Sequence, residues 1–205
     1  YKIGTRRFGS VNWIGAWTLY KKEVLRFLIV WIQTLFSPLI TSLLFLSVLS
    51  LAIGNDRGDV LGVPFIVFLA PGLIAMQIIQ QAFSHSSSSF MIGKIQGNIV
   101  DLVYAPLSAG EVTLAVTLAS VTRSVLIAII SLMVFYLFID LEIKNFTTLI
   151  AFTFLSAFSL GALGIIAGLW AEKFDHMATV TNFIIIPLSF LSGTFYSINR
   201  LPGFL

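Results

Sequence analysis

Cysteine is absent from this 205-residue chain, which excludes a disulfide framework and any Cys-ligated zinc or iron–sulfur site. Charge is scarce too: Asp, Glu, Lys and Arg together make up 10% of the residues, against about 25% in a typical soluble domain. The basic residues form no dense stripe beside exposed aromatics, so nucleic acid is not an expected partner. No G-x-x-x-x-G-K-[ST] phosphate loop occurs; Gly93-Lys94 is followed by Ile95 and lacks the upstream spacing. Chemical energy, if used, must therefore come from another polypeptide or from an ion gradient.

What is present is apolar. The chain is 58% hydrophobic with a mean hydropathy of +0.99, and one water-soluble core of this size could not hide that much surface. Five stretches are long enough for the roughly 20 helical residues that cross a hydrocarbon core. They run over 27–53 (with Pro38), 60–84 (with Pro64 and Pro71), 112–139 (interrupted by Arg123), 146–170 and 178–198 (with Pro187 and Gly193). The runs are continuously apolar instead of alternating, which favours helices over barrel strands. The expected fold is an all-α integral membrane protein in a single transmembrane domain.

Charge placement orients it. Lys2, Arg6, Arg7, Lys21, Lys22 and Arg26 precede the first span, and Lys94 and Lys173 fall on the same side, against Arg57, Lys144 and Arg200 on the other. The positive-inside bias then puts the N-terminus in the cytoplasm. Five spans leave the C-terminal end outside, and a sixth span beyond Leu205 is expected. Ahead of the first span, Trp13, Trp17, Tyr20, Val24 and Phe27 recur at helical spacing while Lys21, Lys22, Glu23 and Arg26 fall mostly off that face. An amphipathic helix over 10–26, lying at the inner interface, is expected. The pattern fits a plain anchor as well as a working element.

The polar connector from Ser84 to Glu111 opens with Ser86, Ser87, Ser88 and Ser89 and reads on as FMIGKIQGNIVDLVYAPLSAGE. A short helix over 91–106 is expected, with Ile95, Ile99, Leu102 and Val103 as its apolar stripe and Pro106 as its stop. It suits docking into a partner's groove, or resting on the membrane surface. None of the nine acidic residues lies within an expected span, and His85 and His176 fall in inner loops. Ion-coupled carriers need carboxylates or broken-helix ion sites at membrane depth, so a partner's ATP hydrolysis is the better energy source. The same lack of a buried Ser, His or Lys dyad argues against catalysis.

Arg123 is costly inside lipid, about 2.5–3.5 kcal/mol on the insertion scale. It either faces a translocation path and favours an anionic head group, or snorkels or bonds to neighbouring spans. Ala157, Gly161, Gly164 and Gly168 give the fourth span the small-residue spacing of close helix approach. Phe195 and Tyr196 sit where either an outer gate or an interfacial aromatic belt would be.

The runs RFLIVWIQTLFSPLITSLLF, FLAPGLIAMQI with its serine-rich sequel, IQGNIVDLVYAPLS, GLWAEKFDH and PLSFLSGTFYSINRLP, in this order from Trp17 to Pro202, resemble the ABC-2 type transporter permeases, membrane subunits of bacterial ATP-binding-cassette exporters. The resemblance implies a six-span permease of the bacterial inner membrane that pairs with itself and with two copies of a separate ABC ATPase. ATP and magnesium would belong to that partner, with no cofactor in this chain. It implies an ATPase-coupling helix containing Lys94, Gln96, Asn98, Asp101, Leu102, Tyr104 and Pro106. A connecting helix would carry Lys21, Glu23 and Arg26, and LSGTFYSINRLP, with Phe195 and Tyr196, would start an outer re-entrant cap. Arg123 would lie near the path of a lipid, glycan or drug-like substrate. The contrasting reading is a membrane scaffold or assembly subunit that transports nothing.

Overall fold

The computed structural model describes residues 11–53, 60, 62–141, 143 and 145–191. These form α1 (Trp13–Ile29), α2 (Ser37–Ile53), α3 (Phe65–Ile95), α4 (Ile99–Tyr104), α5 (Ala109–Tyr136), α6 (Phe146–Trp170), α7 (Phe174–Val180) and α8 (Ile186–Leu191). Wider π-helical turns, Ile32–Phe36 and Thr181–Ile185, lead directly into α2 and α8. Four helical segments are long and apolar enough to cross a membrane: Ile32–Ala52, Phe65–Ile95, Ala109–Tyr136 and Phe146–Trp170.

Each π turn ends two residues before a proline, Pro38 or Pro187. A proline inside a helix has no N–H for the carbonyl four residues back and its ring crowds that oxygen. One extra residue in the preceding turn relieves the conflict without ending the helix. Pro71 stands inside α3 with no such turn before it.

The bundle is organised around α3, which packs along α6 and α5, with α2 on its outer side. Leu69, Leu73, Ile74 and Ile78 of α3 meet Leu46 of α2, Val121 and Phe135 of α5 and Ala157 of α6. The closest approach is that of α6 to α3. A Cβ added at Gly164 would lie 2.5 Å from the carbonyl oxygen of Phe83, and one at Gly168 would lie 2.7 Å from that of Ser87. At Gly161 the added carbon would collide with Ser120 Oγ on α5. At Gly164 and Gly168 small residues are required because backbone, not side chain, fills the contact.

Four expectations are corrected by this arrangement. The segment from Ser84 to Ser89 is not the opening of a loop: α3 runs through it to Ile95, and His85, Ser86 and Ser87 are buried. The hydroxyls of Ser87 and Ser88 turn back to the carbonyls of Ser84 and His85 at 3.3 and 3.0 Å. The serines thus act as small residues facing the glycines of α6. Second, the helix expected over 91–106 is divided: α3 ends at Ile95, Gly97 turns with φ +75°, and only Ile99–Tyr104 is helical beyond it. Third, the first span and the interfacial helix meet later than expected, since α1 continues through Phe27 to Ile29 and the chain breaks at Val30. The hydroxyl of Thr34 closes that break by donating to the carbonyl of Phe27 at 3.0 Å. Fourth, the second and third spans start at Phe65 and Ala109, not at Val60 and Val112. Val60 and Val63 instead pair backbone to backbone around Gly62, and Ser108 with Glu111 forms a capping box on α5. The fourth span, 146–170, matches α6. Where the fifth span is expected, over 178–198, the chain is helical from Phe174 to Leu191, a stretch that is not among the four segments long and apolar enough to cross a membrane. The remainder of that expected span, together with Phe195 and Tyr196, lies outside the described residues, as do Arg57, Lys144 and Arg200.

Candidate functional site: an intramembrane polar cleft and the end of the bundle beneath it

Between α2 and α3 lies an open cleft of about 220 Å3. Gln33, Ser37 and Thr41 line it from the α2 side, and Gln77, Gln80 and Gln81 from α3. Phe45, Leu73 and Met76 add apolar wall. From Gln33 to Phe45 the chain advances 12 residues, about 18 Å along the helix. All of these residues sit within the two membrane-spanning segments.

Two of the four amides are held in place. Gln77 donates from Nε2 to the carbonyl of Pro38 at 3.0 Å and accepts at Oε1 from the hydroxyl of Ser131 at 2.7 Å. That carbonyl belongs to the proline that the π turn accommodates, so the local irregularity of α2 and the cleft's geometry are connected. Gln81 accepts at Oε1 from Arg123 Nη2 at 2.5 Å. Gln33 and Gln80 have no side-chain hydrogen-bond partner among the described residues, and Gln33 and Thr41 are exposed.

One helical turn beyond Gln81 lies a second polar group. Arg26 of α1 donates to Glu23 Oε2 through Nε at 3.0 Å and to the carbonyl of His85 through Nη2 at 3.1 Å. Glu23 is only 3% exposed, and the imidazole of His85, 3.8 Å away, is fully buried. A buried carboxylate requires such a partner, because desolvation without one costs several kcal/mol. Hence α1 is fixed to α3 by charge as well as by Leu19 and Phe27.

The start of α1 is tied to α5. Glu111 accepts the backbone N–H of Asn12 at 2.5 Å and that of Ser108 at 2.7 Å. Asn12 caps its own helix by accepting from Gly15 N–H at 2.9 Å, and donates to the carbonyl of Pro106 at 3.2 Å. The segment that follows α4 is thereby joined to the beginnings of α1 and α5. On the other side, Lys94 donates to the carbonyls of Leu169 and Ala171 at the end of α6. A cation on the last carbonyls is favourable for both hydrogen bonding and the helix dipole.

The protein is thus a membrane-spanning bundle with a broken first helix, a short exposed helix between the second and third spans, and a glycine-lined fourth span. Its sequence matches the ABC-2 type transporter family over residues 15–205. The chain belongs to that family. It is 31% identical over 192 residues to the inner membrane transport permease YadH of Escherichia coli K12, covering 94% of this chain and 75% of that one. It is 25% identical over 207 residues to nodulation protein J of Rhizobium leguminosarum bv. viciae, covering 98% and 76%. No solved structure matches the chain.

The residues expected to matter in an ABC-2 permease are distributed as follows. In the α4 region, Gln96, Asn98, Asp101, Tyr104 and Pro106 are exposed, Tyr104 at 85%. Leu102 turns inward with Ile99 against Leu19, Phe90 and Val116, and Lys94 is engaged on α6. Of the expected stripe, Ile95 and Val103 remain outside. On α1, Lys21 is exposed while Glu23 is buried and Arg26 partly so; Trp13 and Trp17 point away from the bundle. Arg123 bonds to a neighbouring span through Gln81 and stands at one end of the cleft. Asn12, Gln77, His85 and Glu111 were not singled out from sequence. The glutamines at 77, 80 and 81 were the available signal, because amides in a lipid-crossing run need partners or water.

Proposed function

We propose that this chain is the permease subunit of an ATP-driven exporter of the bacterial inner membrane. It works as a homodimer with two copies of a separate ABC ATPase and carries a lipid, glycan or drug-like substrate along the α2–α3 cleft. Membership of the ABC-2 type transporter family supports the ATPase partner, and the inner membrane permease from Escherichia coli supports the location. The carrying observation is the cleft itself. Gln33, Gln80 and Thr41 present amides and a hydroxyl at bilayer depth without protein partners for Gln33 and Gln80. Hydrocarbon cannot satisfy such groups, whereas a water-filled path can.

The N-terminus and α4 then face the cytoplasm. The exposed surface made by Asp101, Val103 and Tyr104 receives the ATPase, in which ATP and magnesium are held. Movement of α4 reaches α6 through Lys94, and α1 and α5 through Asn12 and Glu111. Arg123 flanks the path, and Phe195 and Tyr196 belong to its outer gate.

The absence of cysteine makes the test direct. Single cysteines placed at Gln33, Thr41 and Gln80 should react in intact membranes with a water-soluble thiol reagent. Leu44→Cys and Val48→Cys, exposed on α2 outside the cleft lining, should not. Equal reactivity of both sets, or none, removes the aqueous path. Independently, an ATPase should copurify with the chain, and Asp101→Lys or Tyr104→Asp should release ATP hydrolysis from transport while insertion is kept. Normal transport by both variants refutes the docking assignment.

A further inference from the structure

The chemistry of the cleft narrows the class of substrate, and this step rests on the path reading above. Among the described residues no acidic or basic side chain lines it, and the guanidinium of Arg123 is turned to Gln81. What lines it are primary amides and hydroxyls. An amide offers donors and an acceptor together, as does a hydroxyl. A phosphate or carboxylate offers acceptors only: it can take the amide N–H groups, but it leaves the glutamine carbonyl oxygens unmatched, and no cation in the lining balances its charge. An ammonium offers donors only and finds no carboxylate. A ligand rich in hydroxyl groups matches both halves of every amide.

The remaining wall fits the same class. Phe45, Leu73 and Met76 supply an apolar surface opposite the amides, and a saccharide ring has C–H faces as well as hydroxyl edges. The volume, about 220 Å3, is below the about 300–1,000 Å3 of pockets that enclose a whole drug-sized ligand. It takes one head group and leaves the rest of an amphiphile outside. The division between fixed and unpartnered amides is that of a binding site. Gln77 is immobilised by Pro38 and Ser131 and forms a rigid floor, while Gln33 and Gln80 have unengaged amides on opposite walls. We propose that the α2–α3 cleft binds the uncharged, polyhydroxylated head group of an amphiphile, with Gln33 and Gln80 as its hydrogen-bonding residues.

The test uses the complete chain with its ATPase in lipid nanodiscs, carrying Thr41→Cys as the only cysteine. The rate of labelling by a water-soluble thiol reagent is measured against octyl glucoside, octyl phosphate and octyl trimethylammonium, each below its micelle concentration. Saturable protection by octyl glucoside alone is expected. Adding Gln33→Leu or Gln80→Leu should raise the protecting concentration at least tenfold, while adding Leu44→Ala, outside the cleft lining, should leave it unchanged; copurification of each variant with the ATPase shows that the bundle is intact. Equal protection by all three compounds means unspecific partitioning and overturns the proposal. Stronger protection by octyl phosphate overturns it in favour of an anionic ligand at Arg123. Labelling that no compound slows refutes the hydroxyl-rich ligand and leaves the aqueous path standing. No labelling, or a disulfide between two copies at position 41 on oxidation, refutes the path and this proposal together.

Discussion

Replacing Gly164 by alanine tests the packing on which the rest of the bundle depends. The new Cβ would sit 2.5 Å from the carbonyl oxygen of Phe83 and 3.1 Å from Ser86 Cβ. That oxygen is part of the helical backbone of α3 and cannot swing aside, so α3 and α6 must separate by most of an ångström to reach ordinary contact. Overpacking of this kind costs about 1–3 kcal/mol. Alanine returns roughly 0.5–1 kcal/mol through its better helical propensity, leaving a net loss of up to about 2.5 kcal/mol. For a chain of this length that is a fall in melting temperature of up to about 10 °C. The control is Gly93→Ala, also in α3, where the nearest atom to an added Cβ is 3.8 Å away. There only the propensity gain operates, and the melting temperature should hold or rise. Thermal unfolding of both purified variants in one detergent, followed by size-exclusion fluorescence, gives the comparison. If Gly164→Ala melts at or above Gly93→Ala, the backbone contact is not what holds α3 to α6.

Glu23→Gln should destabilise the protein by about 1–3 kcal/mol, because Arg26 loses its carboxylate in a site where Glu23 is almost fully buried. Thermal unfolding checks it, with Lys22→Gln, at an exposed position on the same helix, expected to be neutral. Lys94→Met should cost about 1 kcal/mol by uncapping the end of α6. It should also lower transport per ATP hydrolysed in the reconstituted complex, since the tie between the α3–α4 segment and α6 is lost. An unchanged ratio would show that motion does not pass through Lys94.

Four of the five expected spans correspond to helices long and apolar enough to cross a membrane, because lipid imposes a composition over about 20 residues, and α6 matched its expected limits. Boundaries were not legible in the sequence, and the reasons differ. At Val30 no glycine, proline or polar residue marks the break; the side chain that closes it, Thr34, lies four residues on and reads as part of the span. From Ser84 to Ser89 the rule that serine clusters mark loops failed, because serine is also the polar residue small enough to meet a glycine face. The small residues at 157, 161, 164 and 168 were seen, but their partners on the facing helices were not. That Asp101 and Tyr104 would be exposed was readable, since the connector between the second and third spans is polar. The cleft was not, because it needs Gln33 and Gln80 from helices whose pairing no single sequence states.

These contacts also decide which helix is freest to move. Separating α6 from α3 would undo glycine contacts made against backbone carbonyls over two helical turns, at Gly164 and Gly168, and detach Lys94 from the end of α6. Separating α5 from α3 would break Ser131 from Gln77 and Arg123 from Gln81. By contrast, α2 meets the bundle through Leu39, Leu43, Leu46 and Leu49, with the hydrogen bond from Gln77 to the Pro38 carbonyl, while Ile40, Leu44, Val48 and Leu51 stay outside. A bond of that type contributes about 0.5–1.5 kcal/mol, and in lipid apolar surface that leaves a helix neighbour is covered again by acyl chains. The least costly displacement therefore moves α2 against a fixed α3–α5–α6 unit, and it widens the cleft that lies between them.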